Sequence, residues 1–243
     1  MFRVETDVGA LANRLDNVGA SQVPFATAVA LTRTAAAVRR AEQDEMRRVF
    51  DRPTPFSLNA FEVRPATKTK PVAEVAQKYA TGTSKPRHWF DPQVYGGTRL
   101  PKGFERLLSS RLGLPPMSTW YVPDIGAQLD AHGNMSRGQI VQILSDLGAQ
   151  RDVAQNTTGR SRRRRRRARY FVMRTGGSYG GKGRPVAICL RDGPVVWTVL
   201  AIVAKPPTYE PRFDFFGVAE KVSAERFPVE FDRAFAAAVR TAR

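Results

Sequence analysis

Cysteine is all but missing from this chain: Cys189 is the only one among 243 residues. One thiol cannot close an internal disulfide, so the fold must rest on packing, as expected for a protein made in a reducing cytoplasm. Histidine is nearly as scarce. His88 and His132 are far apart and Cys189 lies within an apolar run, so no pair of residues has zinc-ligand spacing. Neither histidine sits in a motif that would make it the base of a serine or cysteine nucleophile. Long apolar runs are missing too. The longest, Val195 to Ala204, is about half of what a membrane-spanning helix needs. Glu5 and Asp7 come early and no continuous apolar stretch surrounds them, so no signal peptide is expected. Together these absences lead to an expected soluble intracellular product with no catalytic residues, no metal and no cofactor.

Positive charge, by contrast, is abundant. There are 39 lysines and arginines against 22 acidic residues, a formal charge of +17. Eight arginines fall within ten residues: Arg160, Arg162, Arg163, Arg164, Arg165, Arg166, Arg167 and Arg169. Such a run repels itself and is tolerated where solvent, salt or a polyanion screens it. Arginine's planar fork suits phosphate oxygens and carboxylates and keeps its charge at any relevant pH. No helix-turn-helix or zinc module frames the run and no aromatics interleave it. Contact with nucleic acid would therefore be to the backbone and sequence-blind. An acidic protein neighbour fits the charge equally well, and a purely solvated run is the third reading.

Periodicity organises the rest. Val4, Val8, Leu11, Leu15 and Val18 lie on one helical face, Gly19-Ala20-Ser21 is expected to break it, and a second helix is expected from Pro24 to Phe50. Asp51-Arg52-Pro53-Thr54-Pro55 ends that helix, because each proline disfavours helix in the residue before it. Phe56 to Arg64 has β-type content, and Pro71 to Tyr79 can pair back onto it as a hairpin. Residues 81–98 read as a docking loop with exposed aromatics, His88, Trp89, Phe90 and Tyr95. Helices are expected at Pro101 to Leu112 and through Ile140, Ile143, Leu144 and Leu147, ended by Gly113 and Gly148. Gly113 to Gly133 reads as irregular, and residues 149–169 as a mobile basic insertion. Three strands follow, Tyr170 to Arg174, Pro185 to Arg191 and Val195 to Ala204, with Asp192-Gly193 as a hairpin turn. A last helix spans Asp214 to Arg240, with Val218, Val222, Phe227, Phe231, Phe235 and Ala238 inward and a kink or restart at Pro228.

The expected fold class is α+β: a mainly antiparallel sheet, hairpin plus three-stranded meander, packed by long N-terminal and C-terminal helices. The expected division is a helical segment 1–52 and a domain 53–243. One chemical reading fails on its residues, and a second, a metal-dependent nuclease, stays open as a third option. Gly176-Gly177-Ser178-Tyr179-Gly180-Gly181-Lys182-Gly183 resembles a phosphate-binding loop, but Gly183 stands where a hydroxyl must hold magnesium, and a strand follows where a helix should begin. Lys182 reads instead as part of a basic hairpin tip, alongside the arginines. The acidic pairs Asp44/Glu45, Glu210/Asp214 and Glu230/Asp232 are residue types that metal nucleases use. Asp44 and Glu45, however, sit among Arg39, Arg40, Arg47 and Arg48, where i,i+4 ion pairs are the ordinary reading.

Leu31-Thr32-Arg33-Thr34-Ala35, then Glu45-Met46-Arg47-Arg48-Val49-Phe50-Asp51-Arg52-Pro53-Thr54-Pro55-Phe56-Ser57-Leu58-Asn59-Ala60, resembles the N-terminal half of tailed-bacteriophage minor tail proteins similar to minor tail protein Z. The resemblance continues through Pro65-Ala66-Thr67-Lys68, Pro92 to Arg99, Lys102 to Glu105, and Tyr209 to Phe215 with the phenylalanine-rich helix after it. It implies a structural virion protein of the neck or upper tail, acting in tail completion and head–tail joining, as a homo-oligomeric ring around the DNA channel. Portal, adaptor or tail-terminator proteins would be its neighbours, and the host cytoplasm its place of assembly. The resemblance carries no catalytic residues. A run of arginines this long is not part of it, so DNA contact rests on charge alone. The alternative is a sequence-independent DNA-binding accessory protein.

Overall fold

A computed structural model of the chain describes residues 8–78, 90–158, 160, 169–176 and 183–241, with the side chains of 8–21 and of Arg169 left out. The fold is α+β with antiparallel sheets throughout. It forms two compact units, Met1–His88 with Arg212–Arg243, and Trp89–Pro211. The division therefore does not fall at residue 52: the first unit takes in the hairpin and the terminal helix as well.

In the first unit, α1 (Val8–Val49) is one helix of 42 residues, not two. Gly19 and Ser21 weaken a helix by about 1 kcal/mol or less each and do not stop it. Pro24 removes one backbone donor, and the helix runs through it. The end is sharp. Arg52 takes a left-handed φ of 46°, and Thr54 then caps a single helical turn, α2 (Pro55–Leu58), accepting from the Ser57 amide at 3.1 Å. Phe56 to Leu58 are thus helical rather than extended, because a threonine cap followed by proline favours a helix start over a strand. The strands β1 (Phe61–Arg64) and β2 (Glu74–Gln77) pair antiparallel, Phe61 opposite Gln77. The Ala66 amide donates to Thr32 Oγ1 at 3.1 Å, tying the hairpin to α1.

The terminal helix, called α6 here (Phe215–Thr241), runs unbroken through Pro228, so it does not restart there. It lies antiparallel along α1: Phe213 meets Phe50 at 5.7 Å between ring centroids, and Glu230 meets Arg33 at 3.6 Å. Alanines are buried on both helices, Ala26, Ala30 and Ala35 on one and Ala234 and Ala238 on the other. Small side chains let the two backbones approach. Phe227, Phe231 and Phe235 stack in sequence at 6.0 Å but are half-buried rather than fully inward. At the other end of the pair Phe213, buried to 1% exposure, centres a cluster with Phe50, Phe61 and Phe215.

The second unit is built on a four-stranded antiparallel sheet, ordered β4 (Trp120–Pro123), β7 (Val195–Val203), β6 (Pro185–Asp192), β5 (Arg169–Arg174). The meander β5–β6–β7 is the one expected, with Gly193 at φ 59° in the tight turn. Its partner β4 falls in the stretch read as irregular. A one-turn helix, α3 (Asp91–Val94), precedes the small ladder of β3 (Gly97–Thr98) with β8 (Thr208–Tyr209). One face of the main sheet is covered by α4 (Gly103–Leu112) and α5 (Arg137–Leu147). Their Leu108, Ile143 and Leu144 pack with Tyr121, Tyr170, Ile188, Val199 and Leu200. Both helices close on a left-handed glycine, Gly113 and Gly148, as their sequences predict.

Candidate polyanion interface

Two buried polar side chains brace the sheet that carries the basic segment. Glu105, fully buried, accepts both terminal nitrogens of Arg99 at 2.7 and 2.8 Å, the Lys102 amide and the Tyr121 amide. A carboxylate satisfied on both oxygens ties the loop before α4 to β4. Gln139 accepts from the Gln128 amide at 2.7 Å and donates to the Gly126 carbonyl at 3.0 Å, holding residues 124–136 in place of regular structure. Tyr121 is buried, and desolvation pushes its phenol up to about 12, so it remains a neutral hydrogen-bond partner of Ser109 at 3.2 Å. Burial likewise pushes the Cys189 thiol up, which makes it an inert core group.

The basic segment has a defined anchor on each side. After α5, one turn of 3-10 helix (Val153–Gln155) is fastened back to that helix. Ser145 Oγ donates to the Gln155 carbonyl at 2.8 Å, Thr157 Oγ1 donates to Asp146 at 2.8 Å, and the Thr157 amide donates to the Ser145 carbonyl at 3.0 Å. On the far side the chain enters β5, the edge strand of the sheet, at Arg169, which stands opposite Arg191 in the ladder. Arg191 lies over the Phe171 ring at 5.5 Å. Arg151, Arg160 and Arg184 are exposed and have no ion-pair partner among the described residues. Residues 89–211 carry nineteen lysines and arginines against eight acidic residues, so this unit holds most of the chain's excess charge.

Of the residues expected at the site, Arg162 through Arg167 and Lys182 lie outside the described residues, as do His88 and Trp89. Arg160 is in solvent and Arg169 opens the edge strand. The expected aromatic surface needs one correction. Phe90 is buried at 4% exposure, because it begins α3 and its carbonyl accepts the Gln93 and Val94 amides, which turns the residue into the body of its unit. Tyr95, at 67% exposure, remains on the surface. In the glycine-rich loop only Gly176 and Gly183 are described, and Gly183 closes a hairpin: a β-carbon there would lie 2.2 Å from the Thr175 carbonyl oxygen.

The acidic pairs resolve one by one. Asp44 and Glu45 pair with Arg47 and Arg48, each at 2.6 Å and three residues apart rather than four. Glu230 sits between Arg233 at 3.1 Å and Arg33 at 3.6 Å, and Asp214 caps α6 by accepting the Gly217 amide at 3.0 Å. Among the described residues no three His, Cys, Asp or Glu side chains come together as a metal site would require. A group that periodicity did not reveal is Glu42, fully buried in the first unit with both carboxylate oxygens lacking a partner. Desolvation first, then the nearby carboxylates of Glu45 and Asp214, push its pKa from 4.5 up to about 8. The only advance signal was its place at i+4 from Val38 and i−4 from Met46, on the buried stripe of α1.

None of the protein-family models, curated proteins or solved structures compared with this chain matches it. No helix is long and apolar enough to cross a membrane among the described residues.

Proposed function

We propose that this chain is a structural subunit of a tailed-bacteriophage virion, in the neck or upper tail, taking part in head–tail joining around the DNA channel. The observation that carries this reading is where its resembling segments lie. The helix end and turn at Phe50 to Pro55, the strand at Phe61 and the Phe213-Asp214-Phe215 entry to α6 are far apart in sequence. Their rings nonetheless form one cluster, with Phe61 at 6.3 Å from Phe213 and 5.1 Å from Phe215. Segments that resemble one family thus build one packed body. The chain would work as a homo-oligomeric ring against portal, adaptor or tail-terminator subunits, with no enzymatic step. Its arginine segment would face the channel DNA or an acidic ring.

The test is to tag the protein in an induced or infected cell and follow it through particle purification. Several copies per virion, located at the head–tail junction, are expected. Recovery on free DNA with none in virions would overturn the reading. The charge excess of residues 89–211 favours a second reading, a sequence-blind DNA-binding accessory protein. In that case isolated protein retains duplex DNA at about 0.15 M salt, with affinity falling steeply as salt rises.

A further inference from the structure

β5 is an edge strand whose outer side no strand covers among the described residues. The phase of that edge can be read from two hydrogen bonds. The Thr175 amide donates to the Arg184 carbonyl at 2.9 Å, so Thr175 turns its backbone toward β6. Backbone groups alternate along a strand, which turns Met173 and Phe171 inward and Arg174, Val172 and Tyr170 outward. The bulge opposite Met173 and Arg174 places its extra residue on β6, so the alternation in β5 is unbroken. Tyr170 agrees with this phase: its amide points away from β6, to the Asp146 carboxylate of α5 at 3.5 Å. One outward donor is therefore already met by an acidic group. The next, on Val172, has no acceptor among the described residues.

The charge around this edge says what kind of strand can join it. Arg169 begins β5 and Arg174 ends it, and Arg184 is exposed just before β6, opposite Thr175. A second copy of β5, paired antiparallel on the same outward residues, would pivot at Val172, set Arg174 opposite the partner's Tyr170 and bring a second set of arginines to an edge that is already basic. Nucleic acid has no peptide backbone with which to continue a ladder. We propose that the outer edge of β5 takes up an extended, acidic segment of a partner protein as an added β-strand, next to the donor that Asp146 already occupies. Main-chain hydrogen bonds from Val172 outward supply affinity, and the flanking arginines select for acidic side chains. This goes beyond the virion reading and does not rest on it, since the edge and its charges are the same in any assembly.

The probe is a synthetic nine-residue peptide alternating glutamate with valine or threonine. Its control is the same peptide N-methylated at every second backbone nitrogen, made in both phases, which keeps the charge and blocks the ladder. With the full chain at about 0.15 M salt, the unmethylated peptide binds, and amide exchange at Val172 slows. At least one methylated phase binds tenfold weaker or worse. Val172→Pro removes an outward donor without touching the β5–β6 ladder, so the strand tolerates it, and it weakens the peptide at least tenfold. Equal binding of all the peptides would reduce the effect to charge attraction and overturn the proposal, as would no binding at all. The methylation comparison needs no variant and decides the question even if Val172→Pro fails to fold. Absence of the protein from virions would leave this result standing, so the two readings fail separately.

Discussion

Glu42 is a carboxyl group kept where water cannot reach it. Its folded pKa of about 8 lies above the 4.5 of a solvated glutamate, so between those values the folded chain holds a proton that the unfolded chain has released. Stability contributed at low pH is lost as pH rises across that window. The first unit should therefore be less stable at pH 8 than at pH 4.5 by on the order of 2–4 kcal/mol from this group. Glu42→Gln, neutral at every pH and nearly the same shape, should stabilise the protein by about that amount at pH 8 and hardly at all near pH 4.5. Urea denaturation at the two pH values measures this, and an equal effect at both would mean Glu42 is solvated. Glu105 is the opposite case, a buried carboxylate with four donors. Glu105→Ala leaves Arg99 without its partner and should cost about 3–5 kcal/mol, read by the same denaturation. Neither role was visible in the sequence, where Glu42 and Glu105 are ordinary helix glutamates. Burial and partnership come from the fold around them.

Elements were legible where the signal for them is local. Helices α4 and α5 each carry an apolar face of three or four residues and a terminal glycine, and both ends fall where those residues put them. The turn at Gly193 likewise sets the β6–β7 register from Asp192 opposite Val195 to Cys189 opposite Thr198, beyond which a bulge shifts it. Strand β4 was not legible, because four residues ending in a proline carry no alternation of their own. Its pairing, Tyr121 opposite Ile202, is supplied by β7 some eighty residues on. Helix α1 passes through its expected break because one glycine and one serine cost a helix only about 1 kcal/mol or less each, too little to end a helix of this length. The half-burial of Phe231 alters an expectation of magnitude. A fully buried phenylalanine costs about 3–5 kcal/mol on truncation to alanine, and this one should cost about 2 kcal/mol, measured by thermal denaturation. Of the candidate site, the charge was legible and its mounting was not. Changing Arg162 through Arg167 to serine should leave the denaturation midpoint nearly unchanged and abolish retention on heparin or duplex DNA at about 0.15 M salt. Loss of folding in that variant would make the run part of the architecture.

At the scale of the molecule, α+β with antiparallel sheets follows from the order of helices, hairpin, meander and helix, and that much was readable in advance. The way the chain is shared between its two units was not, since it depends on α6 returning to α1. Residues 89–211 contain a sheet, its two covering helices and their own core, so the excised segment should fold alone, with a cooperative thermal transition and dispersed amide resonances. Removing residues 212–243 should instead unfold α1 and the β1–β2 hairpin while leaving that transition in place. Circular dichroism and limited proteolysis distinguish the two outcomes.

The return of α6 to α1 also sets an order in time. The ribosome releases α1 and the hairpin first, but the helix that completes their core follows some 160 residues later. At roughly 5–20 residues per second, the alanine stripe of α1 and the rings of Phe50 and Phe61 wait for several to tens of seconds without their partner. The intervening sheet can fold within that interval. A nascent chain of this protein is thus a finished middle trailing an unfinished beginning, and chaperones that shield apolar helices have their opportunity then.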